Sequence, residues 1–175
     1  MTITVLVDVE ACGASPARGE MTEFGAVALN RNMTAIQSTY HGILIEAVPD
    51  PTNPAKPLIL PGAKRYPEKE VMQKFEKWLL SFGERVVFTS DNPGYDFQWL
   101  NFYFDKHEIA NPFGYSSRRI GDFAAGLSSD WGNSSKWKKL RDVRHDHNPL
   151  NDSLGNGGAL LRLIAMSRGE EEIRF

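Results

Sequence analysis

A chain of 175 residues with 41% hydrophobic and 24% charged residues has the size and composition of one domain, a sheet covered by helices spanning residues 1–175. Its net charge of −2 supplies no overall positive field, so a polyanion would need a local basic patch or protein-bound cations. Cys12 is the single cysteine, which excludes an internal disulfide framework and a cysteine-rich zinc site.

Ile3–Val9 is short and β-branched, and reads as a buried strand that ends at an acid. Ala11–Glu20, with Gly13, Pro16 and Gly19, reads as a turn-rich loop. Glu23–Leu29 and Thr34–Ile45 read as two further strands, and three consecutive strands on short connections predict an antiparallel meander. Val48–Pro67 holds six of the ten prolines and suits neither a central strand nor a helix interior. It is expected to run over the surface, as a plain loop or as a lid near a substrate.

Pro67 suits a first helical position, and Val71, Phe75, Trp78, Leu79 and Phe82 recur on one face until Gly83 ends the helix. Arg85–Thr89 predicts a fourth strand, and Asn92-Pro93-Gly94 a turn. Asp96–His107, rich in aromatics, predicts a buried helix. Ser117–Ile120 reads as a short fifth strand and Asp122–Leu127 as a helix. The last helix is expected from Asn151 or Asp152 to Met166, with Leu154, Leu160, Leu161, Ile164 and Ala165 toward the core. Strands first, then strands alternating with helices, imply an α/β chain with a mixed sheet of about five strands.

Chemistry enters through acids set at element boundaries. Asp8 and Glu10 are two apart on a strand, so their side chains share a face. Asp96 and Asp152 each open a helix, where the positive end of the dipole favours an acid whether or not it binds anything. Four such acids in one crevice, with nothing basic among them, would repel one another unless they shared cations. Hard divalent ions such as Mg²⁺ or Mn²⁺ take oxygen ligands and serve phosphoryl chemistry in pairs. His147, close to Asp152, is a group able to take a proton from water, and His145 competes with it.

Val7-Asp8-Val9-Glu10 with Thr22-Glu23-Phe24-Gly25-Ala26-Val27, Asn92-Pro93-Gly94-Tyr95-Asp96-Phe97, and His147-Asn148-Pro149-Leu150-Asn151-Asp152 stand in this order along the chain. Together they resemble the three motifs of the DEDDh family of 3′–5′ exonucleases, whose fold is ribonuclease H-like. The resemblance implies two Mg²⁺ or Mn²⁺ ions held by Asp8, Glu10, Asp96 and Asp152, with His147 as the base, and catalysis by these five residues. It implies a single-stranded DNA or RNA 3′ end as substrate, hydrolysed to nucleoside 5′-monophosphates, and allows a homodimer.

Many relatives carry Thr after the first Asp-x-Glu where this chain has Ala11, so only the backbone contact to a 3′ end remains there. Ala11, Cys12 and Gly13 are the candidates for that contact. Phe97 and Trp99, flanking Asp96, are candidates to press on the terminal base, with at least one of them expected to belong to the core instead. Lys136, Lys138, Lys139, Arg141 and Arg144 cluster with Trp131 and Trp137, a composition that suits phosphate contact and base stacking as well as a plain solvated face. Arg118 and Arg119 are weaker candidates. Glu23 is an acid in an apolar strand, with a supporting place beside the site or a place at the core edge open to it. Gly155-Asn156-Gly157-Gly158 reads as small residues that let the last helix approach the sheet. The N-terminus lacks the features of a signal peptide, and no apolar run approaches the roughly 20 residues that span a bilayer, so a cytoplasmic protein with no membrane partner is expected.

Overall fold

The computed structural model describes residues 2–44 and 64–175. The expectation for Val48–Pro67 therefore lies outside the described residues, except for its last four positions. Leu44 and Tyr66 meet in an isolated parallel bridge, so the two flanks of that segment come together.

Strand β1 runs Thr2–Cys12, β2 Glu20–Leu29, β3 Ile36–Ile43, β4 Arg85–Ser90 and β5 Ser117–Arg119. They form one mixed sheet in the order β3-β2-β1-β4-β5, antiparallel from β3 to β1 and parallel from β1 to β5. Helices α1 (Glu68–Leu80), α2 (Pro93–Lys106), α3 (Ile120–Leu127) and α4 (Pro149–Ser167) flank it, with a short 3₁₀ turn over Lys136–Leu140. This is the expected ribonuclease H-like α/β arrangement.

Alternation along β1 sorts the two faces. Ile3, Val5, Val7, Val9 and Ala11 point into a core shared with Val71, Phe75 and Leu79 of α1 and Trp99, Leu100, Tyr103 and Phe104 of α2. The other face carries Leu6, which packs with Ile120 and Ala124 of α3 and with Leu160, Leu163 and Ile164 of α4. Asp8 and Glu10 follow Leu6 on that second face, so the acids begin where the apolar stripe stops.

Several boundaries differ from expectation, each for a local reason. β1 continues through Ala11 and Cys12, which pair with Met21 and Glu20 after a bulge at Glu10/Ala11, so the loop is shorter than Ala11–Glu20. β3 starts at Ile36 rather than Thr34, because the Asn30 side chain accepts hydrogen bonds from the Thr34 and Ala35 amides (2.8 and 3.3 Å) and holds a turn. Asn92-Pro93-Gly94 is a helix entry, not a turn: Asn92 is the cap and Pro93 the first residue of α2. α4 likewise begins at Pro149, two residues before the expected Asn151. Proline lacks the amide that a first helical residue leaves unpaired anyway, and its φ suits the helix.

The buried stripe of α4 also differs, running through Asp152, Asn156, Gly157, Leu160, Leu163 and Ile164, with Leu154 and Leu161 only partly buried. Two of its positions are polar, so apolar periodicity alone could not trace it.

Gly25 decides how α4 meets the sheet. It lies opposite Asp8 in the β1–β2 ladder, and a Cβ there would fall 2.3 Å from the backbone of Pro149 and Leu150. Ser153 Oγ donates to the Gly25 carbonyl at 2.9 Å. The expected role of small residues within α4 holds for Gly157, which faces Val27, while Gly155 faces the Arg141–Val143 loop. Gly25→Ala is expected to destabilise the protein by about 3 kcal/mol, because the clash is with backbone. In a melting experiment that is a Tm drop of about 6–12 °C; an unchanged Tm would contradict this packing.

Candidate active site

The acids meet at the C-terminal end of the parallel strands, where crevices open in α/β sheets. β1 pairs with β4 only from Thr2 to Leu6, and beyond that point the Val9 amide donates to Asp96 Oδ1 at 3.2 Å. Asp96 enters from α2 and Asp152 from α4, and both arise from the same local pattern, Asn-Pro-x-x-Asp. In each, the Asp amide donates to the Asn carbonyl, at 3.0 Å for Asp96–Asn92 and 2.9 Å for Asp152–Asn148. The Asn148 side chain also accepts from the Leu150 and Asn151 amides.

Asp8, Glu10 and Asp152 converge: one carboxylate oxygen from each lies within 4.8 Å of the others. Asp96 is 4% exposed and Asp152 2%. Burial, and then the charges of Asp96, Asp152 and Glu10, hold the Asp8 carboxyl well above the ordinary range, with Arg141 acting against them. Burial likewise pushes Asp96 up to about 7, against the lowering influence of Ser90 and the Val9 amide. An all-oxygen set whose members cannot readily ionise together fits hard divalent cations, which would relieve the repulsion.

The sign of the resulting pH dependence is fixed by these raised values. Below about pH 4 both folded and unfolded chains hold these protons and the neutral acids contribute their full stability. As pH rises the unfolded chain releases protons first, and that stability is lost as pH climbs through the folded value of about 7. The metal-free Tm should therefore fall between about pH 5 and about pH 8. Saturating Mn²⁺, worth about 2.7 kcal/mol at a hundredfold excess over Kd, should add about 5–10 °C near pH 8 and less near pH 5. An equal Mn²⁺ effect at both pH values in a melting scan would refute this account.

The loop before α4 places two histidines over the cluster. His147 Nδ1 is 3.5 Å from Glu10 Oε1, and His145 Nδ1 is 2.7 Å from Asp152 Oδ2, though without hydrogen-bond alignment. Their rings meet edge to face at 4.4 Å, and both side chains are about half exposed. His147 has φ +61°, a left-handed conformation that histidine adopts more readily than bulkier residues. Asp146 braces the loop: its carboxylate accepts from the Asn148 amide and Asn151 Nδ2, and its own amide donates to Asp152 Oδ1.

The other candidates are placed unevenly. Ala11 is buried, Cys12 half-buried, and Gly13 has φ +104°. Tyr95 Oη donates to the carbonyls of Ala11 and Gly13 at 3.5 and 3.4 Å, so α2 holds this backbone beside Asp96. Phe97 is half-buried, its ring 4.9 Å from that of Phe88. Trp99 is fully buried in the α1–α2 core and has no ring face to offer a base, so of the two aromatics it is the core residue and drops out as a base contact. Trp137 is also fully buried, against α4. Lys136, Lys138 and Lys139 are all exposed, and Lys138 also pairs with Asp91 at 2.6 Å. Trp131 is 84% exposed. Arg119 is tied to Asp122 and to the Asp91 carbonyl.

Two features lay beyond sequence reasoning. The acids do have a basic neighbour, Arg141, which corrects the view that nothing basic stands among them. Glu23 lies opposite Glu10 across the β1–β2 ladder, is 6% exposed, and is met by His41 Nε2 at 2.9 Å. The register between strands is what brings these partners together, and residue spacing carries no sign of it.

No protein-family model and no curated protein sequence matches the chain. Solved structures do. The nuclease domain of 3′hExo, a DEDDh family member bound to rAMP, superposes with a TM-score of 0.71 over 98% of this chain and 94% of its own, at 18% identity. A 3′-exonuclease with 3′-end specific recognition of a histone mRNA stem-loop gives 0.68, with 95% and 82% covered, at 16% identity. The zinc-bound E. coli ExoI–ssDNA complex gives 0.69 at 15% identity, with 97% of this chain but only 41% of ExoI covered. The chain has the fold of DEDDh-type 3′–5′ exonucleases.

Proposed function

On a chain with this fold, we propose a metal-dependent 3′–5′ exonuclease that releases nucleoside 5′-monophosphates from single-stranded nucleic acid. The observation that carries the proposal is the convergence of Asp8, Glu10 and Asp152 within 4.8 Å, with Asp96 and His147 at the same strand ends.

Two Mg²⁺ or Mn²⁺ ions, held by Asp8, Glu10, Asp96 and Asp152, would supply the positive charge that activates water and offsets charge on the phosphoryl oxygens. The protein's own groups do the rest. His147, half-exposed beside Glu10, takes the proton of the attacking water as its oxygen bonds to the terminal phosphorus. The bond from phosphorus to the 3′ oxygen of the preceding nucleotide breaks, and that oxygen leaves on the shortened strand. The carbonyls of Ala11 and Gly13, set by Tyr95, offer acceptors to the terminal 3′ hydroxyl. Exposed Lys136 and Lys139 offer phosphate contacts farther along the strand. Among the described residues no helix is long and apolar enough to cross a membrane.

The test is digestion of end-labelled single-stranded DNA and RNA of several lengths, with Mn²⁺ and with chelator. Stepwise, metal-dependent shortening from the 3′ end, lost in Asp8→Ala, is the expected result. Binding without shortening would reduce the chain to a nucleic-acid-binding module, and turnover of only the shortest strands would make it an oligonucleotide phosphodiesterase.

A further inference from the structure

Arg141 follows the 3₁₀ turn and is drawn inward: its side chain is 11% exposed, with Cζ 5.2 Å from the centre of the Trp137 ring. Nη2 donates to Asn156 Oδ1 at 2.6 Å and lies 3.5 Å from Asp91 Oδ2. Asn156 is fully buried and sits four residues after Asp152, on the same face of α4 one turn along. Asp91 directly follows β4 and is also held by Lys138. Gly155 admits this stretch, since a Cβ there would meet Val143 O at 2.9 Å and Arg141 Cδ at 3.5 Å. Arg141 Nε is buried without a hydrogen-bond partner among the described residues. This much packing fixes a permanent charge, because a guanidinium does not deprotonate in proteins.

We propose that Arg141 is a positioning residue, a resident cation that shares the acidic cluster with the divalent ions and weakens the binding of the second one until substrate arrives. The inference rests on the metal-binding reading above. With Asp8, Glu10, Asp96 and Asp152 ionised, Asp91 neutralised by Lys138 and Arg141 charged, the set carries three net negative charges. One divalent ion leaves it negative; a second overshoots. An incoming phosphodiester brings the negative charge that makes the second ion welcome.

The test is titration with Mn²⁺, followed by the electron paramagnetic resonance of the free ion, with and without a nucleoside 5′-monophosphate. The wild-type protein should bind one ion tightly and a second weakly, with the nucleotide tightening the second. Arg141→Gln should bind the second ion about tenfold more tightly without nucleotide, a gain of about 1.4 kcal/mol, and respond less to it. Arg141→Met, which keeps the aliphatic stem over Trp137, should do the same, and Arg141→Lys should behave as wild type. A purely structural Arg141 predicts the opposite sign, because loosening Asn156 and Asp91 would weaken binding. Unchanged or weaker binding in both neutral variants, with normal wild-type binding, overturns this inference alone. A wild-type protein that binds no Mn²⁺ overturns the proposed function and this inference together.

Discussion

Asp8→Asn is expected to lower metal-dependent 3′ nucleotide release by about 10³-fold and, in the metal-free protein, to raise the Tm. The two effects share one cause. Asp8 converges with Glu10 and Asp152, and its carboxyl is raised by burial and by the charges of Asp96, Asp152 and Glu10. An amide of the same shape removes the charge that must be buried and the repulsion it suffers. Replacing buried charge by a neutral group often stabilises, here on the order of 1–2 kcal/mol, or about 3–6 °C in Tm. The same change removes the ligand best placed to hold cations, so Mn²⁺ should no longer add stability. Melting with chelator and with Mn²⁺, alongside the strand-shortening assay, reads all three effects. A variant that melts lower without metal, or that keeps its Mn²⁺ response, would remove Asp8 from the centre of the site.

His147→Asn should cost about 10²–10⁴-fold in turnover, the usual worth of a general base, and leave Mn²⁺ affinity near that of the wild type. Asparagine is the informative substitution because it tolerates the positive φ at this position, so the backbone of the loop is not also strained. The parallel variant, His145→Asn, should lose less than about tenfold if His147 is the base. His145 makes this comparison necessary. Its Nδ1 lies closer to Asp152 than the His147 Nδ1 lies to Glu10, and the two rings touch. Should His145→Asn show the larger loss, the base assignment moves two residues upstream while the acidic site stands.

The acids were legible because they are written locally. Strand alternation puts Asp8 and Glu10 on one face whatever lies around them, and Leu6 before them marks that face as inward. Asn-Pro-x-x-Asp appears twice, and each copy builds a helix start with its acid in the first turn. The strand order toward a mixed sheet followed from the run of β-rich and helical patterns, which are also short-range. The helix starts are local as well, since Pro93 and Pro149 each serve as the first helical residue, where a missing amide costs nothing.

Burial and charge pairing belong to the tertiary structure. Trp131 and Trp137 stand six residues apart in one polar stretch of the chain, yet one is 84% exposed and the other fully buried. Only the packing of the 3₁₀ turn on α4 separates them. Glu23 meets His41 because β2 and β3 pair in one register, and Arg141 reaches Asn156 because Gly155 lets its loop lie against the helix. Gly25, one glycine among fifteen, admits the start of α4 over Asp8. Short-range patterns thus determined which acids the chain carries to the strand ends, since helix caps and strand alternation act over a few residues. Which charge balances them, and which aromatics are left to touch a substrate, depended on contacts between segments far apart in the chain, and only the assembled fold decided those.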